Sequence, residues 1–250
     1  MERIPITDAG AIIIGDEILS GYRQDAHMAY LIKTLPELGV LLKRVSYVGD
    51  DPVELRNALS NSRHSTIPVF CFGGIGATED DRTRQIAAEV FNRPLTRHPE
   101  ADQMIRNRFG DSSEPYRILM ADLPDGSELI PNAVSQIPGF YHDHHYFFPG
   151  FPNMAQPMLE WVLTNQLQPP GHKTVAVASV MVTCKESQLV PVMEKLTALF
   201  SQCRFFSLPS SDFNGQIELG FRSALEEPIA FAAMQTLLDE GQIPWDTVTL

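Results

Sequence analysis

The stretch AIIIGDEILSGYRQDAHMAYLIKTLPELGVLLKRVSYVGDD, Ala11 to Asp51, holds an apolar run, a helical pattern and a second apolar run, each closed by glycine. Ala11 to Gly15 is apolar and largely β-branched, which suits a strand buried on both faces. From Asp25 to Leu38 the apolar residues Met28, Leu31, Ile32, Leu35 and Leu38 recur at helical spacing. Asp25 is placed to cap the start and Gly39 to stop the end, with Pro36 disturbing the last turn. Val40 to Val48 reads as the second strand, ending at Gly49.

The pattern then repeats. Pro52 to Ser62 reads as a helix with proline in its first turn, Ile67 to Phe72 as a strand, and Arg82 to Phe91 as a helix entered directly from an acidic loop. Such alternation predicts an α/β fold with a parallel, doubly wound sheet. If every strand runs the same way, Gly15-Asp16-Glu17, Gly49-Asp50-Asp51 and Gly73 to Asp81 all emerge at the carboxyl edge, where ligands bind in this fold class. Beyond Glu100 the pattern weakens. GDSSEPYR reads as a loop, SELIPNAVSQIPGF as an extended segment, HHYFFPGFP as a strand running into a turn, and AQPMLEWVLTNQL as a closing helix. QLQPPGHK, Gln166 to Lys173, suits a linker. It divides a domain at residues 1–168 from a small α+β subdomain at 172–250 of β-α-β-β-α order. That subdomain opens on a strand at TVAVASVMV and then a helix whose capping box begins at Thr183.

Composition narrows the function. The chain has 250 residues, 44% of them apolar, enough for sizeable cores. A net charge of −12 disfavours a nucleic-acid partner. No leader pattern and no apolar run near the roughly 20 residues of a membrane span is present, so a cytoplasmic protein with no membrane partner is expected. Cys71, Cys184 and Cys203 form no CxxC pair and read as small apolar side chains.

The loop CFGGIGATEDDRT, Cys71 to Thr83, carries the chemistry. Gly73, Gly74 and Gly76 let the backbone crowd around an anion while the following helix points its positive end at the same place. It is no P-loop, since Glu79 and Asp80 stand where a lysine is needed, and no GxGxxG follows a strand. Carboxylates beside an anion nest would repel a phosphate unless a divalent cation bridged them. Oxygen-rich sets of this kind suit Mg²⁺ or Mn²⁺, and the carboxylates gathered at this edge are Asp50, Asp51, Glu79, Asp80 and Asp81. The first-turn acids Glu79, Asp80 and Asp81 also offset a helix dipole. Asp16 and Glu17 either face the crevice or solvate a turn, and Thr78 either caps the helix or meets a phosphate. Arg82 and Arg84 are the nearest cations, to be solvated or to hold a second phosphate. HDHH at 142–145 reads as a hairpin turn rather than a metal site.

The motifs GDEILSG (15–21), VGDD (48–51), GGIGATEDDRT (73–83), LIPN (129–132), IPGF (137–140) and FPGFP (148–152) resemble those of the molybdopterin-binding (MoaB/Mog-like) domain of the competence/damage-inducible protein A (CinA) family. The likeness covers about residues 10–163, and residues 172–250 are similar, more weakly, to the small subdomain that follows it there. The resemblance implies a three-layer α/β/α sandwich, a stand-alone form without the family's amidohydrolase domain, and molybdopterin or an adenine nucleotide as ligand. A small phosphorylated molecule would thus be the partner, in a homo-oligomer, dimer or trimer. Asp50 and Asp81 match the aspartates used with Mg²⁺ for adenylyl transfer to molybdopterin in Mog-type relatives, so the resemblance makes these two the expected metal ligands and catalytic residues. In the competence-protein branch the domain is associated with metal-dependent cleavage (Mg, Mn or Co) of ADP-ribose, so a pyrophosphatase-type hydrolase is expected. A non-catalytic pterin- or nucleotide-binding module is the alternative. The motifs extend the ligand site to Gly15, Asp16, Glu17, Asp80, Pro138, Gly139, Pro149 and Gly150. Three departures stand out: Ala77 replaces the usual proline, Gln136-Ile137 replaces Thr-Ala, and Met154 occupies the position of a glutamate.

Overall fold

A computed structural model describes residues 3–171, 176–209, 216–223 and 227–247. The chain forms two compact units, residues 1–171 and 172–250. The linker expected at Gln166–Lys173 and the strand expected from Thr174 both run into residues 172–175, outside the described residues.

In the first unit six strands form the main sheet: β1 (Asp8–Ile14), β2 (Leu41–Val48), β3 (Val69–Phe72), β4 (Glu128–Ile130), β5 (Gly139–His142) and β6 (His145–Phe148). Their spatial order is β2-β1-β3-β6-β5-β4. β2, β1, β3 and β6 pair in parallel, while β5 is antiparallel to both β6 and β4. The expectation of a uniform direction therefore fails at β5. The tight turn at Asp143-His144 allows only an antiparallel return, since a parallel crossover needs a dozen residues or more.

Alternation along the strands feeds two cores. Ala11, Ile13, Phe70, Phe72, Tyr146 and Phe148 pack on one side with Leu31 and Leu35 of α1 (His27–Glu37) and with the closing helix. Ile12, Ile14, Val69, Cys71 and Phe147 pack on the other with α2 (Pro52–Ser62) and α3 (Thr83–Phe91). Burial on both faces is why these strands read as continuous apolar runs. Asp25 caps α1 as expected, accepting from the His27 and Met28 amides at 2.8 and 3.0 Å. Gly39 ends it at φ 75°. α4 (Pro99–Phe109) was not legible in the sequence, because its inward stripe is only Ala101 and Ile105. α5 (Pro152–Asn165) closes the unit.

The second unit contains β7 (Ala176–Thr183), α6 (Glu186–Leu199), β8 (Arg204–Pro209), β9 (Gln216–Ser223), α7 (Pro228–Glu240) and β10 (Trp245–Thr247). Its antiparallel sheet runs β8-β9-β7-β10. The order is β-α-β-β-α-β, a split β-α-β unit, and β10 is one strand more than the sequence suggested. The capping box lies at Lys185, whose amide donates to Gln188 Oε1 at 3.0 Å, because Thr183 is still paired in β7. No helix among the described residues is long and apolar enough to cross a membrane.

His142 and His145 face each other across the β5–β6 hairpin, and both are buried against Phe91. His145 Nε2 is 2.9 Å from Ser62 Oγ, and burial pushes its imidazole from 6.5 down to about 4. The fold thus favours the neutral ring. Its contribution is complete above pH 6.5 and is lost as the pH falls toward about 4, because only the unfolded chain takes up the proton in that window. Urea unfolding of the parent should lose on the order of 2 kcal/mol across that range through this group, and His145→Phe should flatten the slope. A second test concerns Gly139, where a Cβ would stand 2.3 Å from the Phe147 carbonyl oxygen. Gly139→Ala should cost about 2 kcal/mol or more, whereas Gly10→Ala, with nothing nearer than 3.7 Å, should be close to neutral in the same measurement.

Candidate functional site

Because β1, β2, β3 and β6 are parallel, the turns that follow them meet at one edge. Gly15 donates to the Val48 carbonyl at 3.0 Å, and Gly73 to the Phe148 carbonyl at the same length, so the sheet ladder continues into the turns. At φ 108° Gly73 lies so close to β1 that a Cβ would meet the Ile14 carbonyl oxygen at 2.3 Å. Only glycine fits there.

The loop is then tied down from within. The Thr83 hydroxyl donates to the Gly73 carbonyl at 3.0 Å, and the Thr83 amide to the Gly74 carbonyl at 2.9 Å. Asp81 folds back on the loop: its Oδ2 accepts from the Thr78 amide at 3.0 Å and the Thr78 hydroxyl at 2.6 Å, and its carboxylate lies against Gly76. Thr78 thus spends its hydroxyl on Asp81. Arg84, expected to be solvated or to hold a phosphate, is only 3% exposed. Its guanidinium donates to the carbonyls of Gly76 (2.6 Å), Asp122 (3.2 Å) and Leu119. A detectable signal existed, because Arg84 shares the helical stripe of Ala87 and Phe91.

A second group of acids forms at the ends of β1 and β2. Asp16 and Asp50 clasp each other's backbone. The Asp16 amide donates to Asp50 Oδ2 at 3.0 Å, and the Asp50 amide to Asp16 Oδ1 at 3.2 Å. The Glu17 carboxylate folds over Gly15, so Asp16, Glu17 and Gly15 belong to one turn. Asp51, a neighbour of this cluster in sequence, instead caps α2 by accepting from the Val53 and Glu54 amides at 2.9 and 3.1 Å. Asp50 is raised above the ordinary carboxylate value. Burial is the largest cause, the Asp16 amide opposes it, and the charges of Asp16, Glu17 and Asp80 add to it.

Gly74, Gly76 and Asp81 line a cleft of about 190 Å³ together with Pro138, Pro149 and Gly150. Met154 and Asn132 complete two of its walls. Asn132 is buried and holds the 132–137 turn, its Oδ1 accepting from the Val134 and Ser135 amides. Gly139 sits inside the sheet instead, against Phe147 and Met158. The sequence reading missed His27 altogether. It is 4% exposed, stacks on Phe72 at 4.5 Å, and its Nε2 is 3.2 Å from the Gly150 carbonyl, so it underpins the cleft wall. Its spacing from Leu31 and Leu35 was the available signal.

Do these residues suit a divalent cation? Among the described residues no three His, Cys, Asp or Glu side chains stand together in a ligating cluster. Mg²⁺ is commonly held by one or two carboxylates and completed by substrate phosphates and water. Asp81 keeps one oxygen free of Thr78, while Asp50 is held by the Asp16 turn and does not line the cleft.

A family profile described as a probable molybdopterin binding domain matches residues 10–169. The chain is 32% identical over 153 residues to a CinA-like protein of Syntrophotalea carbinolica, covering 58% of this chain and 37% of that protein. It is 36% identical over 129 residues to a CinA-like protein of Anaeromyxobacter dehalogenans, covering 50% and 32%. The chain therefore spans between about a third and a half of the length of the curated relatives it matches. Among solved structures, a CinA protein of unknown function from Thermoplasma acidophilum aligns with a TM-score of 0.58 at 27% identity, over 63% of this chain and 96% of that one.

The raised Asp50 generates a prediction. Its folded state favours the protonated carboxyl, so the stability it contributes is present at low pH and lost as the pH rises through its raised value. At pH 7 without added metal, Asp50→Asn should unfold at higher urea than the parent, and the gap should narrow as the pH is lowered through the raised value of Asp50.

Proposed function

This chain belongs to the probable molybdopterin binding domain family, and from that premise we propose that it binds a pterin or nucleotide phosphate at the carboxyl edge of its sheet and hydrolyses a pyrophosphate bond with a divalent cation. The observation that carries the reading is the cleft in which Asp81 stands beside Gly74 and Gly76. A phosphate entering there meets the Asp81 carboxylate over Gly76, which is why a cation is needed between them, and the Arg84 guanidinium behind Gly76 offsets part of the Asp81 charge. Asp81 and Asp50 would hold the cation, which supplies charge neutralisation and polarisation of the phosphoanhydride when bound. Thr78 fixes the Asp81 carboxylate, leaving Oδ1 free of that contact. The Asp16 amide fixes Asp50 in the same way. ADP-ribose is the substrate class proposed, with adenylyl transfer to molybdopterin as the related chemistry on the same bond type.

A second reading is a binding module that has lost turnover, and Met154 favours it. An apolar thioether lines the cleft where the resembling family carries an acid.

Incubation of the protein with ADP-ribose and Mg²⁺, Mn²⁺ or Co²⁺ should release AMP. Asp81→Asn should slow this at least about tenfold, equivalent to about 1.4 kcal/mol of barrier. Tight binding with no product over hours would select the module, and equal rates in parent and variant would remove Asp81 from the mechanism.

A further inference from the structure

Phe151 is 52% exposed, a large apolar ring left at the mouth of the cleft. Its backbone is rigid. The Phe151 carbonyl accepts from the Met154 and Ala155 amides at 2.9 Å each, opening α5. On its other side Gly150 is held by His27. An exposed ring on an immobilised turn contributes little to the core, so packing does not explain it. The Arg23 guanidinium stands 5.9 Å from the ring centroid, and its own backbone is tied by the Arg23 amide donating to the Glu17 carbonyl at 2.8 Å. No carboxylate pairs with Arg23 among the described residues. The rim therefore presents an aromatic face and an unpaired cation beside a cleft whose one charged lining residue, among the described residues, is Asp81.

We propose that Phe151 and Arg23 form a two-part ligand clamp: a flat heteroaromatic ring stacks on Phe151, and Arg23 pairs with a phosphate carried by the same ligand. This rests on the reading of the cleft as a nucleotide or pterin phosphate site and names the two residues that select for ring and for charge. A ring has a π-face to offer Phe151 whatever its hydrogen-bonding pattern. Arg23 exchanges an aromatic contact for a charge-assisted hydrogen bond as the ring arrives. Neither step makes or breaks a covalent bond.

The test uses three probes on the intact protein: AMP with ring and phosphate, adenosine with ring alone, and ribose 5-phosphate with phosphate alone. Both side chains are at the surface, and thermal unfolding of each variant checks that it folds as the parent does. Phe151→Ala should weaken AMP and adenosine about tenfold and leave ribose 5-phosphate unchanged, with Phe151→Trp restoring the loss. Arg23→Ala should weaken AMP and ribose 5-phosphate and spare adenosine. AMP binding to Phe151→Ala as tightly as to the parent, or equal losses for ringed and ringless probes, would overturn the clamp while the cleft reading stood. Parent protein that binds none of the probes would overturn both. Binding that follows the expected pattern without hydrolysis of ADP-ribose would support the clamp and remove only the catalytic step.

Discussion

At the end of β3 the Gly73 amide donates to the Phe148 carbonyl, and its Cα presses against the Ile14 carbonyl of β1. Three strands from distant parts of the chain are locked together by that one residue, at the edge where the loops must begin. Parallel pairing forces the turns after β1, β2, β3 and β6 to the same side, and the close approach at Gly73 fixes how deep the glycine loop starts. Loop geometry then follows from a few further ties, Thr83 to Gly73 and Arg84 to Gly76. The cleft is thus a product of sheet register before it is a product of its lining residues.

Charge is the opposing constraint. Asp16, Glu17, Asp50 and Asp80 crowd negative charge at one edge, and burial first, then these neighbouring charges, push Asp50 above the ordinary carboxylate value. The fold contains this cost by giving carboxylate oxygens backbone amides to accept from: Asp50 from Asp16, Asp16 from Asp50, Asp51 from α2 and Asp81 from Thr78. Hydrogen bonds to the ionised form stabilise it without neutralising it. An edge that keeps its charge in this way does so at some expense of stability.

Two buried basic side chains support the cleft from behind. Arg84 bonds to main-chain oxygens, and its charge lies near the carboxylates of Asp122 and Asp81. Burial pushes the His27 imidazole below its usual value, and its ring spans Phe72 and the Gly150 carbonyl. Both lie on helix stripes otherwise filled by apolar residues. A polar group tolerated there has a partner that apolar packing alone would not supply.

The sequence by itself determined the alternation of strand and helix, the bounds of α2 and the approximate course of α3 and β3, the glycine loop and the identity of the acids near it. These are local properties: periodicity, capping and glycine conformations are written within a dozen residues of one another. It did not determine that β5 runs backward, that β10 joins the second sheet, or that α4 exists on a two-residue stripe. Nor could it separate Asp50, which meets Asp16, from Asp51, which caps α2, although the two are adjacent. Gly139, in a motif shared with the ligand turn, proved to be packed inside the sheet, while Arg84 and His27 turned inward. Only tertiary structure decided these points, because each depends on where a backbone from another part of the chain places its carbonyls and amides. No spacing within one segment carries that information.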